Sequence, residues 1–83
     1  MTAREFEQVF FTKEGFVIVL RCNKEEEVGN YDYVRAARDD MTLSEFKSIR
    51  LKNLPVQFVI YDGEVQEPHG RTKLSSIRSS YGR

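Results

Sequence analysis

The sequence predicts a small α+β domain, with a mostly antiparallel sheet and one helix packed across a face of that sheet. Three signals in residues 42–66 indicate this class: a capped amphipathic helix, a strand rich in β-branched and aromatic residues, and a tight-turn dipeptide. The chain has 83 residues, which is enough for one domain and too few for a second. Apolar residues make up 40% and charged residues 31%, as in ordinary globular proteins.

The predicted helix begins after Thr42. Thr42 and Glu45 have capping-box spacing, in which the hydroxyl and the carboxylate each accept a backbone N–H at the start of a helix. Leu43, Phe46 and Ile49 then recur three residues apart and form one apolar stripe. The pattern stops before Pro55, because proline cannot continue a helix.

A strand and a turn follow the helix. Residues 56–61 are rich in β-branched and aromatic side chains, which predicts a strand. Asp62 and Gly63 come next, and this dipeptide commonly supplies the two positive φ angles of a tight hairpin. We therefore expect residues 64–67 to form the returning strand.

The N-terminal segment allows two interpretations. Thr2 and Glu5 repeat the capping-box spacing and predict a helix, whereas residues 9–12 have high strand propensity. We favour the strand, because residues 13–15 form a turn signal and residues 16–20 have the continuous apolar character of a buried strand. The prediction is a hairpin that pairs residues 5–12 with residues 16–22.

The middle of the chain predicts a loop and then a short edge strand. Residues 24–30 are polar and charged, as in a loop. We expect residues 31–38 to form a short strand with Tyr31 and Tyr33 on one side, and an irregular turn is the alternative. Arg35 and Arg38 would keep this edge charged, which discourages pairing with another chain.

Taken in order, these elements give a ββαββ arrangement, with the short edge strand before the helix. This order of elements resembles the β-grasp, or ubiquitin-like, fold, and the resemblance implies a single helix lying across the sheet. We assign residues 1–69 to this domain. Residues 70–83 contain four Arg or Lys, four Ser and no acidic residue, which predicts a flexible basic tail.

The inventory of reactive side chains is small, so we expect no enzymatic activity and no cofactor or metal. The chain has one His and one Cys, and its glycines lie apart from one another and form no phosphate-binding loop. Its longest apolar run, residues 16–20, is far shorter than the roughly 20 residues of a membrane-spanning helix. We see no secretory signal, and the lone Cys22 favours a reducing, cytoplasmic location.

Charge is distributed unevenly along the chain. Residues 1–45 carry six basic and ten acidic side chains, and residues 46–83 carry seven basic and three acidic side chains. This asymmetry would steer a charged partner or let two copies meet head to tail. The alternative is that the charges only mark the solvated faces.

The aromatic residues indicate protein binding. Six Phe and four Tyr exceed what one small sheet face and one helix stripe can bury. We therefore expect an exposed patch on a sheet face or edge that binds another protein, including a second copy of the chain. The centre of this predicted patch is Tyr31, Tyr33, Val59 and Tyr61, and its rim is Arg35 and Arg38. The alternative is that these aromatic residues complete the core.

Nucleic-acid binding through the C-terminal segment is the second hypothesis. The basic residues are Arg71, Lys73, Arg78 and Arg83, and Tyr81 would stack on a base. The isoelectric point near 6.6 argues against this function, since nucleic-acid-binding domains usually exceed about 9. A third hypothesis is phosphorylation of the nearby serines, which would reverse the local charge.

Overall fold

The computed structural model describes residues 1–82 and confirms the α+β class. The elements in chain order are α1 (Ala3–Glu14), β1 (Val17–Leu20), α2 (Leu43–Arg50), β2 (Phe58–Tyr61) and α3 (Leu74–Ser79). Loops and turns make up most of the remaining described chain.

The N-terminal segment is a helix, so the predicted strand over residues 5–12 is wrong. Thr2 and Glu5 form the capping box: the Glu5 N–H donates to Thr2 Oγ1 at 3.3 Å and the Thr2 N–H to Glu5 Oε1 at 2.9 Å. Ala3, Phe6 and Phe10 are buried at intervals of three and four residues, which places them on one face of a helix, whereas a strand would place Ala3 and Phe6 on opposite faces. The helix ends at Glu14 and is capped by Gly15, whose φ of +82° is left-handed.

The second capping box confirms the predicted start of α2. Thr42 Oγ1 accepts the Glu45 N–H at 3.3 Å, and Glu45 Oε1 accepts the Thr42 N–H at 3.1 Å. Leu43 and Phe46 of the predicted stripe are fully buried, while Ile49 remains 53% exposed. The helix ends at Arg50, with Leu51 as its C-cap residue, before Pro55.

The sheet has two antiparallel strands within residues 1–82, so the ββαββ order and the ubiquitin-like arrangement are not shown. Val17 pairs with Tyr61 and Leu20 with Phe58. Residues 31–38 form no strand, which matches the alternative of an irregular turn.

The predicted hairpin after β2 is also absent. Asp62 and Gly63 lead into a loop, and residues 64–67 form no strand. The positive φ in this loop belongs to Val65, at +59°, and not to the predicted dipeptide.

Residues 70–82 pack against the rest of the chain, which differs from the predicted separate tail. Leu74 and Ile77 of α3 are fully buried. The backbone also pairs with the start of α2, since Leu43 N–H donates to the Thr72 carbonyl at 2.8 Å and Leu74 N–H to the Met41 carbonyl at 2.9 Å. Two apolar anchors and these backbone bonds outweigh the polar composition of the segment.

Aromatic rings join the helices to the strands in the core. Phe10 of α1, Phe16 before β1 and Phe46 of α2 are fully buried and contact one another edge to face. Their ring centroids are 5.4 to 5.8 Å apart, which is the usual separation for such pairs. β1 and β2 contribute Ile18, Leu20 and Ile60 to the same core.

Candidate functional site

The structure distributes the predicted binding residues over two regions. Tyr31 and Tyr33 contact each other, with ring centroids 5.0 Å apart, in the loop between β1 and α2. Val59 and Tyr61 lie in β2. The two regions differ in exposure and in polarity.

Tyr31 belongs to the core, not to the exposed patch that the sequence predicted. It is 4% exposed, and its ring lies against Phe6 and Phe10 at centroid distances of 5.5 and 5.1 Å. Its hydroxyl donates to Glu14 Oε2 at 2.5 Å. Burial raises the pKa of Tyr31, and the hydrogen bond to Glu14 raises it further.

Tyr33 is half-buried and lines an open cleft of about 350 Å³. The Arg50 guanidinium stacks on its ring, with Cζ 4.2 Å from the ring centroid. Ile49, which is 53% exposed, lines the same cleft. One side of the Tyr33 ring is therefore occupied by a cation of the same chain.

Arg35 and Arg38 are exposed, as a binding rim requires, but each has a local contact. The Arg35 carbonyl accepts a hydrogen bond from Arg50 Nη1 at 2.8 Å. Arg38 Nε lies 3.3 Å from Asp40 Oδ1 in an exposed ion pair. Both residues lie in the same loop region as the two tyrosines.

A buried carboxylate that sequence reasoning missed organises this region. Glu14 has a fully buried side chain, and Arg50 Nη1 and Arg78 Nη2 donate to its oxygens at 2.5 and 2.9 Å. The Ala37 N–H also donates to Glu14 Oε1 at 2.9 Å, in addition to the Tyr31 hydroxyl. We call these five residues the Glu14 cluster.

The Glu14 cluster connects four parts of the chain that are distant in sequence. Arg78 Nε donates to the Glu14 carbonyl at 2.6 Å. Arg78 Nη1 donates to the Ala37 carbonyl and to Asp39 Oδ1, both at 2.7 Å. Burial alone would lower the pKa of Arg50, but its bonds to Tyr31 and Glu14 outweigh that effect and raise it. Both oxygens of Glu14 are occupied by donors of the chain, so the cluster holds structure together and leaves no carboxylate oxygen for a ligand.

The second region is the side of the sheet that faces away from the core. Antiparallel register places Val17 opposite Tyr61 and Val19 opposite Val59, on the side opposite to Ile18 and its core neighbours. Of these four residues, Val59 is 9% exposed and the others are half-buried. All four lie outside the contiguous core formed by residues 1–82.

Phe11 extends this apolar side onto α1. It is 47% exposed, the largest exposed fraction of any aromatic ring in residues 1–82. With Val17 and Val19 it lines an open groove of about 340 Å³ between α1 and β1. We call Phe11, Val17, Val19, Val59 and Tyr61 the outer sheet surface.

Tyr81 closes one end of the outer sheet surface. Its ring lies 6.0 Å from the Phe11 ring between centroids. Its hydroxyl accepts the Val17 N–H at 3.1 Å and donates to the Tyr61 carbonyl, so it links the last pair of the ladder. Burial raises the pKa of Tyr81, although the bond from Val17 acts in the opposite direction.

The residues proposed for nucleic-acid binding have different surroundings. Arg71 and Lys73 are exposed. Arg78 is committed to the Glu14 cluster, and the Tyr81 hydroxyl is committed to the sheet. Arg83 lies outside the described residues.

Comparisons with known proteins identify no relative. No protein-family model, no curated protein and no solved structure matches this chain. Among residues 1–82, no helix has both the length and the apolar character that crossing a membrane requires. Within the same residues, no group of three or more His, Cys, Asp or Glu side chains is arranged to hold a metal ion.

Proposed function

We propose that this protein is a non-catalytic protein-binding module that uses the outer sheet surface. The observation that carries the proposal is the apolar side of the two-stranded sheet, which lies outside the contiguous core and continues onto the half-exposed ring of Phe11. Aromatic residues such as Phe and Tyr are enriched at the core of protein interfaces, where the contacts around them exclude water.

Burial of this surface would supply binding free energy. Removing apolar area from water contributes about 25 cal/mol for each Å². Val17, Val19 and Tyr61 are half-buried in the free chain, and their backbone is already held by the ladder. A partner would therefore lose little binding free energy to ordering these side chains.

The proposal that the protein is not an enzyme is supported by the state of its buried acid. Glu14 is the one charged residue that is buried within residues 1–82. Its oxygens bind two arginines, a tyrosine and a backbone N–H. A general acid or base needs access to a substrate, and Glu14 has none. The proposed cytoplasmic location rests on the single Cys22 of the sequence.

Binding of nucleic acid through the C-terminal segment is less well supported. Two of the residues assigned to it, Arg78 and Tyr81, are engaged in the fold. No structural observation favours this function over protein binding.

Replacement of Phe11 tests the proposed function. The full chain and the variant Phe11→Gln are used to capture partners from a lysate of the native source, and Ile49→Gln is the matched control. Phe11 and Ile49 are both exposed apolar residues of helices, at 47% and 53%, so the two changes have similar costs for folding. We expect Phe11→Gln to weaken capture of a specific partner by about tenfold or more, and Ile49→Gln to leave it intact.

The opposite result would relocate the binding site. If Ile49→Gln alone weakened capture, the cleft beside Tyr33 would be the binding surface and the outer sheet surface would not. Equal capture by all three proteins would contradict both assignments. Circular dichroism and urea unfolding of each variant confirm that the fold is unchanged.

A further inference from the structure

Residues 30–33 form an extended segment that pairs with no strand. The rings of Tyr31 and Tyr33 contact each other on one side, while Asn30 and Asp32 are exposed. This alternation is the period of two of extended backbone. None of the backbone N–H and C=O groups of residues 30–33 forms a hydrogen bond within the described chain. The segment therefore presents the main-chain groups of an unpaired edge strand.

The cleft beside Tyr33 lies between this segment and the end of α2. Residues 28–33 form one wall of the cleft and residues 49–54 form the other. On the second wall, the N–H groups of Lys52 and Asn53 also donate no hydrogen bond within the described chain. The volume of about 350 Å³ falls in the range of ligand clefts, roughly 300–1,000 Å³. Unpaired main-chain groups on two walls thus border one open space.

Apolar side chains line the same cleft. Ile49 is 53% exposed, Tyr33 and Leu54 are half-buried, and Phe6 and Val28 belong to the buried core. A peptide strand that is added to an edge is bound through its main chain, and pockets for its alternate side chains give specificity. An aliphatic side chain of such a peptide would be buried against this lining.

Charge gives the cleft no preference for an acidic or a basic ligand. Arg50 is already bound to Glu14, with Nη1 2.5 Å from Oε2. Lys52 and Asp32 are exposed residues of opposite charge in the lining. Because these charges offset one another, the unpaired main chain and the apolar lining are the features that would select a ligand.

The wall formed by residues 30–33 is held in place without a ligand. The Val28 N–H donates to the Met1 carbonyl at 3.1 Å, just before the segment. Within it, the Tyr31 hydroxyl donates to Glu14 Oε2 at 2.5 Å. A peptide would therefore lose little binding free energy to ordering this wall.

We propose that the cleft is a second binding site, which takes an extended, uncharged peptide segment of a partner protein as a strand added beside residues 30–33. The peptide main chain pairs with the N–H and C=O groups of this segment. One of its aliphatic side chains lies against Ile49 and Leu54. The site is separate from the outer sheet surface, so the inference goes beyond the proposed function.

Peptides selected on the full chain from a phage-displayed library of random heptapeptides test the inference. The best-binding sequence is synthesised with blocked termini and added to the full chain in an NMR titration. We expect the backbone amides of residues 30–33 to shift, and their hydrogen exchange to slow by about tenfold or more, because the peptide gives them hydrogen-bond partners.

Methylation of the peptide main chain isolates the strand pairing. Two analogues keep all side chains, and each carries N-methyl groups on the amides of one edge of the extended peptide. At least one analogue should bind about tenfold more weakly than the parent peptide, since it has lost the N–H groups that face the wall.

Ile49→Gln tests the apolar lining. This variant should bind the parent peptide about fivefold more weakly. The matched control is Val34→Gln, which replaces an 87% exposed valine outside the cleft lining and should bind the peptide normally. Urea unfolding of both variants checks that the fold is unchanged.

Four results would each overturn the inference. The selection returns no binding peptide; the peptide shifts the amides of Val17 and Val19 and not those of residues 30–33; or both methylated analogues bind as tightly as the parent. The fourth is that the amides of residues 30–33 shift with the concentration of the chain alone, which would assign the cleft to a second copy.

Failure of this inference is distinguishable from failure of the proposed function. If the peptide binds beside residues 30–33 and Phe11→Gln leaves capture from the lysate intact, the cleft is a binding site and the outer sheet surface is not. If Phe11→Gln abolishes capture and no peptide binds the cleft, the reverse holds. When both sites bind, Ile49→Gln loses the peptide and still captures the partner of the outer sheet surface.

Discussion

The Glu14 cluster and the outer sheet surface differ in whether their side chains already have all their partners within the chain. In the cluster, a fully buried carboxylate is bound by two arginines, a tyrosine and a backbone N–H. On the outer sheet surface, aliphatic and aromatic side chains lie outside the contiguous core, and all of them except Val59 remain partly in contact with water. The polar region is thus complete within the chain, and the apolar region is not.

This difference separates residues that maintain the fold from residues that are available for binding. A buried ion pair whose partners are all present contributes to a unique arrangement of the chain, and its loss leaves uncompensated charge. A partly exposed apolar surface gains free energy only when something covers it. Variants in the first region should therefore change stability, and variants in the second should change association.

Removal of the charge of Glu14 should have the largest effect. Glu14→Gln leaves Arg50 and Arg78, whose side chains are 15% and 19% exposed, without their shared counter-ion. We expect the free energy of unfolding to fall by about 3–5 kcal/mol, measured by urea denaturation.

The control for this change is Glu25→Gln. Glu25 forms an ion pair with Arg4 at 2.8 Å, and both side chains are more than 60% exposed. Its loss should change stability by less than about 1 kcal/mol. Similar effects of the two substitutions would mean that the Glu14 cluster does not differ energetically from a surface pair.

Tyr81 lies where the outer sheet surface meets the folded interior, so its replacement should have an intermediate effect. Tyr81→Phe deprives the Val17 N–H and the Tyr61 carbonyl of the shared hydroxyl, at a cost of about 1–2 kcal/mol. Tyr33→Phe is the control, because its hydroxyl makes no protein hydrogen bond among residues 1–82. Equal losses for the two variants would argue against the bridging role of Tyr81.

The same tyrosine predicts a dependence on alkaline pH. Burial raises the pKa of Tyr81 above its ordinary value of 10.0, so the folded state favours the protonated hydroxyl. This contribution is complete below about pH 10 and is lost as the pH rises through the folded pKa. Stability should fall less steeply with alkaline pH in Tyr81→Phe than in the wild-type chain, as measured by urea denaturation at several pH values.

The sequence predicted features that depend on neighbouring residues. Val59 and Tyr61, which the sequence analysis placed together in one patch, lie on the same side of the sheet. The capping box at Thr42 correctly predicted α2. The capping box at Thr2 also predicts a helix, whereas the strand propensity of residues 9–12 led us to favour a strand. The buried face of α1 shows that the helical signal was the correct one.

Features that depend on distant residues could not be predicted. The groups that bind Glu14 lie 17 to 64 residues away in sequence, and no spacing rule connects them. The burial of Tyr31 depends on that cluster, and it matches the alternative in which the aromatic residues complete the core. The packing of α3 depends on Leu74 and Ile77, which a polar composition concealed.

The smallest effect concerns the two capping boxes, whose carboxylates belong to neither region. Backbone hydrogen bonds from Thr2 and Thr42, followed by bonds from their hydroxyls, lower the pKa values of Glu5 and Glu45 below 4.5. A lowered folded pKa adds stability that is present above the unfolded pKa and is lost as the pH falls through the folded pKa. The wild-type chain should therefore lose stability in acid from these exposed helix starts.

The double variant Glu5→Gln and Glu45→Gln separates this effect from other acid effects. Glutamine keeps the acceptor of the capping box and removes its titration. Urea denaturation from neutral to acid pH should show a shallower decline for this variant than for the wild type. A control with Glu26→Gln and Glu67→Gln removes two exposed carboxylates that cap no helix. If the control flattened the decline equally, general charge repulsion would explain the acid response and the caps would not.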